Sequence, residues 1–262
     1  IIGVDIGYAT ARYTLPDKAA PDKAASDKAA PGWKAAITFP MAPESSRTGY
    51  LVRLEDNDWI LTLSGRHDDK PPADPEAFLE YVRSFRTPTI YDTIRQAKRQ
   101  GDILRYGFQE SRWRHFHRLD SFPRGLLPIG DAVCRFNPVY GQGMSVAAQE
   151  AHLLADVLRQ RAGNADPLKG LGEAFFAGAA ILIESPWALS VMPDFIYPET
   201  RGERPADFAD AVAFSGALNK IAFRDPAVFG LILEIQHLLK PHTALHDSAL
   251  VQRVKAELAA AA

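Results

Sequence analysis

The apolar residues change their spacing part-way along this chain, and that change constrains the fold more than any other feature. Up to about residue 110 they come in short runs rich in aromatic and β-branched types, as strands do. Beyond Pro167 they recur at three- and four-residue intervals, the period of an α-helix. The chain therefore predicts a sheet-bearing region, a strand-loop-helix junction and a helical carboxy-terminal region.

The first fifteen residues read as strand, closed by Pro16. Three copies of a five-residue unit follow, Asp17-Lys18-Ala19-Ala20-Pro21 and its repeats up to Pro31. Units so short cannot build a solenoid, and they predict a low-complexity surface loop between two strands. Trp33 to Phe39, Tyr50 to Leu54 and Trp59 to Gly65 are separated by Pro, Asn, Asp and Gly, which predicts an antiparallel sheet. Asp74 predicts the cap of a helix containing Phe78, Leu79 and Val82; a second helix is expected from near Pro88 to about Lys98, then a strand over Ile103 to Phe108. Helices are expected through Leu168–Ile183, Phe208–Ile221, Val228–Leu239 and Ala244–Leu258, with Pro186, Pro193, Pro198, Pro205, Pro226 and Pro241 as punctuation.

Composition narrows the function. With 47% hydrophobic and 24% charged residues over 262 positions, a sizeable core is expected. A formal net charge of -2 lacks the basic footprint of a nucleic-acid binder, so no nucleic-acid partner is expected. The longest uncharged apolar stretch, Phe175 to Ile183, stops at Glu184 and predicts no transmembrane segment. A single cysteine, Cys134, excludes an intrachain disulfide framework and suits a reducing, cytoplasmic compartment. The chain opens at Ile1 directly into strand character, with no leader pattern, which predicts that an amino-terminal portion is absent from it.

The segment that carries chemistry runs from Leu126 to Glu150. It reads as an apolar strand, Leu126 to Ile129, ending in Gly130-Asp131-Ala132, then a loop with Pro138, Gly141 and Gly143, then a long amphipathic helix from Gly143 to about Arg161. An acidic residue at a strand end can accept hydrogen bonds from ribityl or ribose hydroxyls. Glycines at a helix start let backbone N–H groups approach a ligand, and the helix dipole there favours negative charge. The pyrimidine end of a reduced flavin develops such charge.

Gly130-Asp131-Ala132, Pro138 and Gly141-Gln142-Gly143-Met144 resemble the second FAD-binding motif of the flavin-dependent monooxygenases related to para-hydroxybenzoate hydroxylase. By that resemblance Asp131 would bind the ribityl chain, Pro138 would lie beside the isoalloxazine, and the backbone amides of Gly143 and Met144 would face its N1 and O2 region. Met144 stands where Asn is frequent in the family, and Glu150 where Asp is frequent. The family's other glycine motif, G-x-G-x-x-G, is missing, since Gly3 and Gly7 have the wrong spacing.

The resemblance implies an α/β, Rossmann-like FAD/NAD(P)-binding flavoprotein fold, incomplete at its amino terminus and α+β in the part shown. It would comprise an antiparallel-sheet substrate domain (1–110), the carboxy-terminal part of the FAD-binding domain (111–162) and a helical region (163–262). It further implies a monooxygenase in which NAD(P)H reduces the flavin and oxygen then hydroxylates or epoxidises a small organic substrate, aromatic or lipophilic. Because the cofactor carries that chemistry, no catalytic acid or base is singled out. A related halogenase would carry Trp-x-Trp-x-Ile-Pro, which Trp33-Lys34-Ala35-Ala36-Ile37 does not match. A flavin-dependent reductase of a lipid-like substrate and a truncated, non-catalytic remnant remain the alternatives.

Other candidates are weaker. Arg112-Trp113-Arg114-His115-Phe116-His117-Arg118 is the densest basic patch, expected to be a solvated face and a possible receiver of NAD(P)H phosphates. His242 and His246, with His237 and Asp247 nearby, have a spacing that can reach a metal, but no Glu completes a zincin pattern, so no metal is expected. Ser145 fails the nucleophile-elbow pattern because Ala147 stands where Gly is needed. Cys134 is expected to be inert packing. Tyr8, Tyr13, Trp33, Phe39 and Trp59 are expected to be mostly sheet and core residues, with a substrate pocket as the alternative.

Overall fold

The computed structural model of the chain describes residues 1–15, 32–56 and 58–260, so the repeats at 17–31 and the loop expected of them lie outside the described residues. The chain divides into two compact units. One, the sheet unit, comprises Gly3–Glu110 and Ile196–Thr200; the other, the helical unit, comprises Ile1–Ile2, Ser111–Phe195 and Arg201–Ala262.

The sheet unit is built on β1 (Ile2–Thr14), β2 (Ala35–Thr38), β3 (Thr48–Arg53), β4 (Asp58–Arg66) and β5 (Lys98–Trp113), in the spatial order β2-β3-β4-β1-β5. The pairs β2-β3, β3-β4 and β4-β1 are antiparallel. Side chains alternate between faces, and the register sets Ala9 against Leu63, Ala11 against Leu61 and Tyr13 against Trp59, all buried. On the opposite face the Thr10 and Thr62 hydroxyls hydrogen-bond at 2.9 Å, and Arg12 and Thr14 each donate to Asp58 at 2.8 Å.

Two helices cover the apolar face, α1 (Pro75–Arg83) and α2 (Thr89–Ile94). Asp74 caps α1 as its sequence predicts, accepting from the backbone N–H of Glu76 and Ala77 at 3.1 and 2.9 Å. Phe78, Tyr81, Val82, Phe85, Ile90 and Ile94 then join Leu51, Leu61 and Leu63 in one core. Gly49 of β3 meets the Phe85 ring so closely that a Cβ would lie 2.9 Å from its Cζ.

Helix α2 ends at Ile94, short of the expected Lys98, and β5 starts at Lys98 and is correspondingly longer. Arg95, Gln96, Ala97 and Lys98 are good helix formers in isolation, so the early stop is a case of strand entry at Lys98 overriding local propensity.

In the helical unit Arg112 and Trp113 of β5 pair antiparallel with Arg135 and Cys134 of β6 (Cys134–Arg135). The helices are α3 (Gly143–Arg161), α4 (Leu171–Asp194), α5 (Phe208–Ala222), α6 (Pro226–Gln236) and α7 (Ser248–Ala259). Val133, Cys134, Phe136 and Val146 form a core with Phe175, Phe176, Ala179 and Ile183 of α4. A second core joins α5, α6 and α7 through Leu218, Ile221, Val228, Ile235, Leu250 and Val254. The segment from Ala244 begins in a 3₁₀ turn, His242–His246, and becomes α-helix only at Ser248, where Asp247 caps the backbone N–H of Leu250 at 2.9 Å.

Helix α4 departs most from expectation, because Pro186 and Pro193 fall inside it instead of ending it. An interior proline costs a helix about 3 kcal/mol. Burial of Phe175, Phe176, Ala179 and Ile183 before Pro186, and of Val191 after it, offsets that cost. The resulting 24-residue helix, with a mean hydropathy of 1.5 over its most apolar window, is long and apolar enough to cross a membrane, and 39% of that window is buried within the protein. The helix runs on past Glu184 and Pro186, beyond the apolar stretch Phe175–Ile183, and a core helix of a protein that crosses no membrane has the same length and composition.

Candidate functional site

Leu126 to Ile129 forms no strand; the segment is extended at Ile129 (φ -137°, ψ 166°) but has no ladder partner among the described residues. An isolated extended segment has nowhere within these residues to place a row of backbone hydrogen bonds, which is why apolar content alone does not make it a strand. Gly130–Ala132 follows as a 3₁₀ turn, entered at Gly130 with φ 58°, a left-handed conformation that costs glycine nothing. The turn packs against α3: a Cβ on Gly130 would touch Ala147 at 3.5 Å, and the Gly130 N–H donates to Glu150 Oε2 at 2.5 Å. Arg114 Nη1 donates to the carbonyls of Asp131 and Ala132 at 3.4 and 3.3 Å, fixing the other side of the turn.

Glu150 is fully buried, and burial raises its pKa, with the Gly130 N–H acting in the opposite direction. Its second oxygen, Oε1, is buried with no hydrogen-bond partner among the described residues. Cys134 lies close to this carboxyl. Burial pushes its thiol well above the usual range, with Glu150 and Asp131 adding to the shift, and it is 2% exposed. Burial and a raised pKa both disfavour the reactive thiolate, which fits a packing role.

From β6 the chain passes buried Phe136 and Asn137 into a 3₁₀ turn, Pro138–Tyr140, then Gly141 with φ 70°, then Gln142 at the cap position of α3. Asn137 Oδ1 accepts from the Val139 N–H at 3.2 Å, and Asn137 Nδ2 donates to buried Asp194, the last residue of α4, at 2.9 Å. Tyr140 Oη donates to the same carboxylate at 2.7 Å. Gln142 does not cap α3 with its side chain, which donates instead to the Gln236 carbonyl at 3.1 Å. No acidic residue occupies the first turn of α3, so its positive end is left uncompensated by any carboxylate there.

Of the residues singled out by sequence, Asp131, Ala132, Pro138, Gly141 and Met144 are exposed, whereas Gly130, Gln142 and Gly143 are half-buried. Apart from their chain neighbours and the backbone of α3 itself, no atom of the described residues lies within 4 Å of where a Cβ would project from Gly141 or Gly143. Of the polar residues that brace these positions, Glu150 is marked in the sequence only as standing where Asp is frequent, and Asn137, Tyr140 and Asp194 belong to no motif position. Asn137 before Pro138 is a turn signal that sequence does contain; Asp194 has none.

The remaining candidates separate. The stretch Arg112–Arg118 is not simply a solvated face, because Trp113 and Phe116 pack on the α4 core and the Trp113 ring lies 4.4 Å from His115 and 5.8 Å from Trp187. Burial lowers the pKa of His115, and Arg118 and His117 lower it further. The His242 and His246 rings lie edge to face at 5.9 Å, and no group of three metal-ligating side chains occurs among the described residues. Tyr13 and Trp59 are core, with Trp33 packed edge-on to Trp59 at 5.2 Å, while Tyr8 lies beside Tyr106 and Phe39 is exposed.

The α+β arrangement is that of a flavoprotein. A flavoprotein/dehydrogenase from Cytophaga hutchinsonii matches it with a TM-score of 0.57 over 98% of this chain and 56% of that one, at 10% identity, which establishes the FAD-binding flavoprotein fold and no more. A triple mutant of the flavin-dependent brominase Bmp2 matches with a TM-score of 0.49 and 17% identity over 74% of this chain and 46% of its own. In sequence, Protein Rv3254 of Mycobacterium tuberculosis is 31% identical over 160 residues, covering 61% of this chain and 31% of that protein. No family model matches the chain. The chain thus spans about a third of the length of the mycobacterial relative and about half of the flavoprotein structures.

The residues present fit the ribityl and pyrimidine side of FAD. An exposed carboxylate, Asp131, follows a glycine turn anchored to α3, and the helix start carries open glycines and no competing acid.

Proposed function

We propose that the chain belongs to an FAD-dependent oxidoreductase, a monooxygenase that uses NAD(P)H and oxygen to hydroxylate or epoxidise a small aromatic or lipophilic substrate. The observation that carries this reading is the Gly130–Ala132 turn, anchored by its Gly130 N–H to Glu150 of the helix whose glycine-rich start follows Pro138. Bound FAD would supply the electron transfer and the activation of oxygen. Asp131 would accept hydrogen bonds from ribityl hydroxyls, and Pro138 would wall one edge of the ring. Backbone N–H groups of Gly143 and Met144 would stabilise negative charge at the pyrimidine end, aided by the dipole of α3. Met144 takes part through its backbone, which agrees with a side chain that is 87% exposed. The sheet unit would bind the organic substrate.

The test is made on the purified whole protein. Retained visible flavin absorbance is expected, with NAD(P)H oxidation and oxygen uptake that rise together when a substrate is added. A colourless protein that takes up no added FAD would refute the reading, and turnover without oxygen uptake would replace the monooxygenase with a reductase.

A further inference from the structure

Asp194 occupies an unfavourable place for a carboxylate. It is fully buried, and it closes α4, whose carboxy-terminal end carries partial negative charge. A buried acid at that end is tolerated only where donors converge on it. Here Asn137 Nδ2 approaches its two oxygens at 2.9 and 3.3 Å and Tyr140 Oη approaches at 2.7 Å. Both donors come from the short stretch that holds Pro138 and leads through Gly141 into α3. Asn137 also closes the stretch on itself through the Val139 N–H. The turn is therefore held at both ends by one carboxylate from a different helix, and its left-handed exit at Gly141 directs the first N–H groups of α3.

We infer that Asp194 is a positioning residue for the flavin: through Asn137 and Tyr140 it sets the Pro138–Gly141 turn, and thereby the direction in which the backbone N–H groups of Gly143 and Met144 meet the pyrimidine end of the ring. This rests on the FAD reading above. Asp194 itself touches no cofactor; its effect passes through the turn.

Two variants and an exchange test it in the whole protein. Tyr140→Phe removes a single hydroxyl and leaves the carboxylate its Asn137 donor. Asp194→Asn turns an amide group toward donors. Each is expected to weaken FAD binding about tenfold, the equivalent of one charge-assisted hydrogen bond. Each is also expected to lower the midpoint potential of the flavin that remains bound, because misdirected N–H groups stabilise the reduced ring less. The exchange Asn137→Asp with Asp194→Asn restores a donor-acceptor match and should recover both quantities. Urea unfolding without FAD reports loss of fold separately. Wild-type affinity and potential in both single variants would overturn the inference while leaving the FAD reading intact, as would weakened affinity that merely follows lost stability with the potential unmoved. A wild-type protein that binds no FAD would overturn the FAD reading and the inference with it.

Discussion

Replacing Glu150 tests how the Gly130 turn is held. The carboxyl is fully buried, takes the Gly130 N–H on Oε2 at 2.5 Å and leaves Oε1 without a partner among the described residues. Burial raises its pKa above the ordinary 4.5, only partly countered by the Gly130 N–H. An acid whose folded pKa is raised holds its proton more tightly when folded. Its stabilising contribution is complete below the unfolded value and is lost as pH rises through the folded one. Glu150→Gln keeps a carbonyl for Gly130 but cannot ionise, so the stability gap between variant and wild type should move in the variant's favour as pH rises from the ordinary 4.5 through the raised folded value. Glu150→Ala removes the acceptor, at about 1–3 kcal/mol for a buried N–H left unmade, and one buried methylene at about 0.8 kcal/mol. A loss of about 2–4 kcal/mol is thus expected where the wild-type carboxyl is protonated, shrinking toward alkaline pH as the variant is also relieved of a buried charge. Urea unfolding of the three proteins across this pH range is the assay. Parallel curves for wild type and Glu150→Gln would refute the argument, because a carboxyl perturbed by burial must leave a pH-dependent difference when removed.

Two further outcomes follow from the same physics. Asp74→Ala removes the acceptor for the N–H groups of Glu76 and Ala77 and should cost about 1 kcal/mol in chemical denaturation, with loss of hydrogen-exchange protection confined to the first turn of α1. Cys134 should resist a thiol reagent in the native protein and react at once in denaturant, since its thiol is buried and its pKa raised; rapid native labelling would show that the β6 core opens readily.

The elements most legible in the sequence are those whose backbone settles its own hydrogen bonds. Helix α3 begins at Gly143 and ends at Arg161, where the amphipathic pattern places it, and Asp74 caps α1 from a position its sequence announces. Strands β3 and β4 were visible because Leu51, Trp59, Leu61 and Leu63 alternate with residues facing the other way. The readings that failed needed knowledge of a partner. Leu126–Ile129 is as apolar as any strand, yet a strand exists only where a second one accepts its bonds. Pro186 reads as a helix end, and only the burial of the flanking face keeps α4 continuous.

The same division runs through the candidate site. Gly130 and Gly141 adopt positive φ, and the start of α3 needs only its own N–H groups, so these parts can be read from residue types and spacing. What braces them is set by pairs far apart in the chain: Gly130 with Glu150 across 20 positions, Tyr140 with Asp194 across 54, Asn137 with Asp194 across 57. A glycine turn with open space beside it would otherwise sample many conformations, and the entropy of fixing it would be charged against ligand binding. Tying Gly130 to buried Glu150, and both ends of the Pro138–Tyr140 turn to buried Asp194, moves that ordering cost into folding, so the turns are set before any ligand arrives.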